Sequence, residues 1–214
     1  MRVEINMKPL KIALTKGRLE KDAIKMFDNM GLDTTALKEK GRRLILPISQ
    51  YEAVLAKAAD VITYIEHGVC DIGIVGKDTI LEYPGSYYEL LDLEIGKCRF
   101  ALAGPKGMDF YSGYSSKTIA TKYPLVAERF FSKKGMDVRI IKIEGSVELA
   151  PLLKLADAIV DIVETGKTLY ENGLEVIEYV EPISARVIVN MASLKLRKFE
   201  IEDFVARLDK AKLC

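Results

Sequence analysis

What the sequence has little of narrows its function first. It holds one histidine, His67, which precedes Gly68 at the end of a predicted helix, where an imidazole complements the helix dipole and needs no catalytic role. The cysteines, Cys70, Cys98 and Cys214, are odd in number and show no C-x-x-C spacing, which excludes a metal-thiolate site and fits a reducing compartment. A formal net charge of +1 removes the electrostatic case for a nucleic-acid or membrane surface. No apolar run approaches the ~18 residues of a membrane span. The opening stretch MRVEINMKPLKIAL carries Arg2, Glu4, Lys8 and Lys11 and has no uninterrupted apolar core, so no secretory signal is expected and the cytoplasm is. No internal repeat or low-complexity linker interrupts the chain.

What is present is the composition of a soluble globular protein, 49% apolar and 29% charged over 214 residues, enough for one large domain or two small ones. Apolar β-branched runs alternate with segments of period 3.6 nearly throughout, which predicts an α/β fold with mainly parallel sheets. Strands are expected at 10–14, 44–47, 70–75, 99–103, 118–121, 138–143, 158–163, 175–180 and 186–190. Helices are expected at 18–30, 125–131 and 200–212. Residues 50–66 read as a helix interrupted near Ala59-Asp60, residues 83–89 as a tyrosine-rich loop, and Ser146 as the cap of a helix holding Glu148. Gly104 to Gly107 is the expected domain junction.

The densest chemistry lies in EGSVELAPLLKLADAIVDIVETGKTL, residues 144–169. A short β-branched strand carries Asp157 and Asp161, then Glu164-Thr165-Gly166-Lys167-Thr168 opens a helix. Unpaired N–H groups at a helix start favour an anion. Gly166 lets a ligand approach, Thr165 and Thr168 add hydroxyls, and Lys167 adds charge. A P-loop fails because its first glycine would fall at Asp161. Acids suit the vicinal hydroxyls of a ribose and the Thr-Gly turn suits its 5-phosphate, the chemistry of a phosphoribosyl diphosphate (PRPP) site; an ordinary strand-to-helix turn with a solvated lysine is the alternative. Two further turns repeat the pattern, Lys16-Gly17-Arg18 and Gly76-Lys77-Asp78, each at a predicted strand end, where open α/β sheets bind ligands. Arg42 and Arg43 follow Gly41 and are either a solvated hairpin tip or a polyphosphate clamp.

Taken together, TKGRL at 15–19, HGVCDIGIVGKD at 67–78, RFALAGP at 99–105, IATKYP at 119–124, EGSVELAP and DAIVDIVETGKTL resemble the ATP phosphoribosyltransferase family over almost all of 10–190. The resemblance implies two lobes of mixed, mainly parallel sheet, like type II periplasmic binding proteins, with residues 1–103 and 181–214 in one lobe and 104–180 in the other. It implies attack of adenine N1 of ATP on PRPP, releasing diphosphate, with Mg²⁺ bridging diphosphate oxygens and no residue assigned as a metal ligand. It assigns Thr165, Gly166, Lys167 and Thr168 to the 5-phosphate, and Asp157 and Asp161 to the ribose hydroxyls or the shell of their metal. Lys16, Arg18 and one of Arg42 or Arg43 would neutralise diphosphate and ATP phosphates, with Arg18, Arg42 and Asp161 the catalytic set. Gly17, Asp78, Glu144, Ser146 and Glu164 complete the binding set. Ending at Cys214, the chain resembles the short form, which works with a histidyl-tRNA-synthetase-like regulatory subunit as a hetero-oligomer. Lys154 and Gly41 stand where the family commonly has glycine and serine. The competing class is a non-catalytic bilobal binding module, against which the missing export signal and DNA-binding segment argue.

Overall fold

The computed structural model describes residues 8–113 and 116–212. Cys214 and the first half of the opening stretch read for a signal lie outside them. The chain forms two compact units, one running to Gly96 and resuming at Ser184, the other Lys97–Ile183.

The first unit contains β1 (Lys11–Thr15), α1 (Arg18–Asn29), α2 (Thr35–Lys38), β2 (Ile45–Ile48), β3 (Tyr51–Ala56), α3 (Ala58–Glu66), β4 (Ile72–Gly76), α4 (Lys77–Glu82) and β5 (Tyr87–Asp92). The second contains β6 (Cys98–Pro105), β7 (Lys117–Thr121), α5 (Pro124–Lys133), β8 (Val138–Lys142), α6 (Leu149–Leu152), β9 (Ala158–Val163), α7 (Lys167–Glu171) and β10 (Leu174–Ile183). The chain returns to the first with β11 (Ala185–Asn190), α8 (Met191–Leu196) and α9 (Lys198–Ala211).

In the first unit the strand order is β2-β3-β1-β4-β11-β5. β3, β1 and β4 run parallel, while β2 and β11 pair antiparallel to their neighbours. Ile12, Leu14, Ile72 and Ile74 are fully buried, as a strand covered on both faces requires. Helix α1 buries Ala23, Met26 and Phe27, and Phe204 of α9 meets Phe27 at 6.0 Å and Tyr51 edge-on at 5.0 Å. Gly31, at φ 74, ends α1 as expected, since only glycine takes that conformation without steric cost.

Residues 50–66 are not one interrupted helix. Tyr51, Ala53 and Leu55 are buried in alternation, a period-2 pattern that pairs β3 with β1, and the helix starts only at Ala58. Val54, Leu55 and Ala58 also satisfy a helical spacing, so periodicity is ambiguous there. Of the tyrosine-rich stretch 83–89, residues 83–86 stay outside any strand, while Tyr87 onward becomes β5 at the sheet edge, paired with β11.

The second unit's sheet runs β10-β6-β9-β7-β8. β8, β7 and β9 are parallel, and β6 pairs antiparallel with both β9 and β10 along its length. That continuous pairing keeps β6 whole, so the chain divides ahead of it at Gly96/Lys97 rather than at Gly104 to Gly107. The C-terminal ends of β7, β8 and β9 therefore lie at one edge of this sheet, and those of β1, β3 and β4 at one edge of the other.

Candidate active site

In the second unit the motif chemistry converges where β9 becomes α7. β9 is buried at Ala158, Ile159, Val160 and Val163, and Val163 delivers Glu164-Thr165-Gly166 at its end. Gly166 takes the left-handed conformation, φ 75 and ψ 1, as the residue preceding α7. A Cβ there would meet only Val163, at 3.9 Å, so glycine is needed for the backbone angle and not for space. The Thr165 hydroxyl accepts the Lys167 N–H at 3.3 Å, which folds the turn tight. Thr168 is exposed beside it. Lys167 lies 3.7 Å from Glu171 along the helix, a solvent-exposed pair of little energetic weight.

These residues, with Glu148, Asp161 and Leu169, line a cavity of about 210 Å³. A roomier groove of about 680 Å³ between α5 and β8 holds none of the residues of the β9–α7 turn; volume alone does not mark the chemistry. Asp161 is the half-buried charge of the smaller cavity. Burial pushes its carboxyl up to about 6, Glu148 adds in the same direction, and the Ile162 backbone and Lys122 oppose it. Glu148 precedes α6, which Ser146 does not cap with its side chain: the Ser146 carbonyl accepts the Leu149 N–H at 3.4 Å and the helix begins only at Leu149. Glu148 thus escapes the helix and faces the cavity, a placement no spacing rule announces. Glu144 is exposed and pairs with Lys142 at 2.8 Å, which holds its carboxyl below the usual range.

Asp157 is not brought to this cavity. It stands at the opposite end of β9, where its carboxylate accepts the Thr118 N–H at 2.7 Å and its own N–H donates to the Thr118 carbonyl at 2.8 Å. Four residues of extended chain separate it from Asp161, about 13 Å. Its role is to staple β7 to β9.

In the first unit, Lys16-Gly17-Arg18 links the end of β1 to α1. Gly17, at φ 107, donates its N–H to Glu20 at 3.3 Å, and the buried Glu20 carboxylate is paired with Lys40. Lys16 and Arg18 are exposed at that edge. Lys57, which sequence reading misses because it misses β3, is exposed at the equivalent end of the neighbouring strand. At the third turn Lys77 is committed to Glu89 at 2.6 Å. A Cβ on Gly76 would lie 2.0 Å from an Asp78 carboxylate oxygen, so that acid folds back over the start of α4. This turn presents a carboxylate, not an anion site.

The arginine pair divides by geometry. Arg43 turns back on the residues that follow α2, its Nε donating to the Lys40 carbonyl at 3.2 Å and its Nη2 to the Glu39 carbonyl at 3.0 Å. Arg42 is exposed and makes no hydrogen bond or ion pair among the described residues. His67 caps the end of α3, exposed. The Cys70 thiol is buried and pushed up to about 11, which leaves it unreactive. No group of three or more His, Cys, Asp or Glu among the described residues is placed to hold a metal ion, and no helix is long and apolar enough to cross a membrane.

Comparison with known proteins follows the same residues. The HisG family model, described as ATP phosphoribosyltransferase, matches residues 57–210. The chain is 60% identical over 201 residues to the ATP phosphoribosyltransferase of Clostridium kluyveri, covering 93% of this chain and 92% of that one. It is 58% identical over 207 residues to the Listeria monocytogenes protein of the same name, covering 96% and 97%. Among solved structures, the ATP phosphoribosyl transferase (HisG:HisZ) complex from Thermotoga maritima superposes with TM-score 0.82 at 36% identity, over 95% of this chain and 98% of that chain. The periplasmic aliphatic sulphonate binding protein SsuA of Escherichia coli shares the fold alone, with TM-score 0.59 at 10% identity over 96% and 73%.

Proposed function

Because the chain belongs to the ATP phosphoribosyltransferase family, we propose that its PRPP site is the β9–α7 turn, with Thr165, Gly166, Lys167 and Thr168 on the 5-phosphate and Asp161 on the ribose hydroxyls. The activity is the first step of histidine biosynthesis, in which ATP receives the phosphoribosyl group. The observation that carries the site is the left-handed Gly166 turn opening α7 beside the half-buried Asp161 carboxylate. Helix-start N–H groups and two hydroxyls suit a phosphate, and an acceptor-only carboxylate suits vicinal hydroxyls.

The chemistry asks little of a base. Adenine N1 is a neutral nucleophile; it forms a bond to C1 of the ribose as the C1–O bond to diphosphate breaks, through a cation-like transition state. Holding two polyanions in line and stabilising the departing charge supply the rate. We assign Lys16, Arg18 and Arg42 to the phosphates; Arg43 is occupied by the Glu39 and Lys40 carbonyls, which favours Arg42 of the pair. Gly17 allows close approach at the same turn, and Asp78, Glu144, Ser146 and Glu164 stay at the rim of the binding set. Asp157 leaves the set, as a strand staple.

Mg²⁺ fits this arrangement. The cavity offers oxygen donors and no imidazole or thiol, the donor set of a hard cation, and Mg²⁺ keeps most of its shell as water and substrate phosphate. When bound with diphosphate it neutralises the leaving group. The Thermotoga maritima relative is a HisG:HisZ complex, which supports a histidyl-tRNA-synthetase-like regulatory subunit as the partner here. Substrates of this kind suit a cytoplasmic enzyme.

Calorimetric titration with Mg²⁺-PRPP tests the site. The native chain is expected to bind, and Thr168→Ala to bind about 10- to 100-fold more weakly, the worth of one charge-assisted hydrogen bond. Equal affinity in the variant would remove the 5-phosphate assignment. Diphosphate release that needs both ATP and PRPP separates the transferase from a binding module.

A further inference from the structure

We propose that Glu20 and Lys40 are positioning residues for this reaction: their ion pair ties the turn that carries Lys16 and Arg18 to the turn that carries Arg42. The inference rests on the assignment of those three cations to the phosphates.

Each of the two turns holds a glycine that packing does not constrain. Gly17 has φ 107 and Gly41 φ 57, and a Cβ at either would meet nothing within 4 Å, so hydrogen bonds and ion pairs set the shape of these turns. In the first, the Lys16 N–H donates to the Ala56 carbonyl at 2.9 Å, and the Gly17 N–H donates to Glu20 Oε2 at 3.3 Å. In the second, the Arg43 backbone N–H donates to the Lys40 carbonyl at 3.0 Å, which closes a four-residue turn with Gly41 and Arg42 at its centre. The other oxygen of Glu20, Oε1, pairs with the Lys40 ammonium. One carboxylate thus holds the backbone of the Gly17 turn with one oxygen and the first residue of the Arg42 turn with the other.

Burial makes this tie firm. Glu20 is 4% exposed, the one buried acidic or basic side chain among the described residues, and a buried carboxylate is retained only with a partner. Helix α1 fixes its position, since Ala23, Met26 and Phe27 of the same helix are packed in the core. A second pair lies about 12 Å farther along α1, Asp28 with Lys38 at 2.8 Å. It joins α1 to α2 at the far end of the helix from the Gly17 turn, and so serves stability without reaching a cation of the site. Cations held in place before a polyanion arrives lose less conformational entropy on binding it. The Glu20–Lys40 pair supplies that order to two glycine turns at once, with neither side chain touching the substrate.

The test uses the full chain, titrated by calorimetry with inorganic diphosphate and Mg²⁺. Glu20→Gln keeps an acceptor oxygen for the Gly17 N–H and removes the charge. Lys40→Met breaks the tie from the other side and leaves a buried carboxylate unpaired, so Glu20→Gln is the gentler of the two. Each is expected to bind diphosphate about 3- to 10-fold more weakly per folded molecule, and the double variant no more weakly than either, the coupling of two residues in contact. Lys40→Arg is expected to keep the native affinity. Lys38→Met, the control at the far end of α1, is expected to lower the melting temperature with diphosphate affinity unchanged. In an Arg42→Ala background, itself weakened, the effect of Lys40→Met is expected to shrink. Native affinity in both Glu20→Gln and Lys40→Met, losses that add in the double variant, an equal loss in Lys38→Met, or an effect of Lys40→Met undiminished in the weakened Arg42→Ala background would each overturn the proposal. If Arg42→Ala alone binds diphosphate like the native chain, the assignment of Arg42 to the phosphates fails instead, while the two single variants still read whether the pair holds the Gly17 turn for its cations.

Discussion

Asp161 carries a carboxyl raised from 3.8 to about 6, with burial the largest cause. Between those values the folded chain binds more protons than the unfolded one, so this group makes stability rise as pH falls from 6 toward 4. Above pH 6 it is a standing cost. Asp161→Asn is therefore expected to raise stability at pH 7.5 by about 1–2 kcal/mol, discounted for partial exposure, with the gain disappearing below about pH 4 in urea melts, while PRPP binding weakens. A residue whose removal stabilises the fold and harms binding is kept for its chemistry. Lys154 is strained differently: it has φ 58, a conformation that costs a side-chain-bearing residue roughly 1–2 kcal/mol. Lys154→Gly is expected to gain about 1 kcal/mol in the same melts and leave PRPP affinity unchanged. This residue carries a backbone cost that only the dihedral reveals.

At the scale of elements, the turns matter more than the strands they end. Gly166→Ala would force a Cβ into φ 75, costing about 1–2 kcal/mol and misaiming the first N–H groups of α7, so PRPP affinity is expected to fall with stability. Gly73 in β4 is confined by packing instead: a Cβ there would come within 2.9 Å of both Ile188 and Ile65. Gly73→Ala is expected to lose about 1–3 kcal/mol by overpacking without a specific change in substrate affinity per folded molecule. The arginine pair makes a contrast within one loop. Arg43→Ala is expected to lower the melting temperature through the lost contacts with the Glu39 and Lys40 carbonyls, about 0.5–1.5 kcal/mol, with kcat/KM little changed; Arg42→Ala is expected to do the reverse, which steady-state kinetics and thermal melts together would show.

For the whole molecule, the two units differ in how the chain builds them. Residues 97–183 are contiguous and hold their own sheet and a core around Ala101, Ala120, Ile159 and Leu174, so this segment expressed alone is expected to melt cooperatively by circular dichroism. The other unit needs both segments, because β11 lies between β4 and β5 and α9 supplies Phe204 to the core. A chain ending at 183 is expected to lose the cooperative transition of that unit; a sharp transition retained there would show that β11 is dispensable.

Much of this is legible in the residues. Short β-branched runs ending in Lys-Gly or Thr-Gly turns determine strand, turn and helix start by local sterics and unpaired N–H groups, which is why the turns at Gly17, Gly76 and Gly166 can be found without coordinates. Periods that fit two structures cannot be resolved locally, so β3 reads as helix, and with it Lys57 at its end escapes notice. The roles of individual charges are decided only by tertiary structure. Asp157 and Asp161 look equivalent four residues apart in sequence, yet extended chain carries one to a strand staple and the other to the cavity. Arg42 and Arg43 differ only in which of them the Glu39 and Lys40 carbonyls capture.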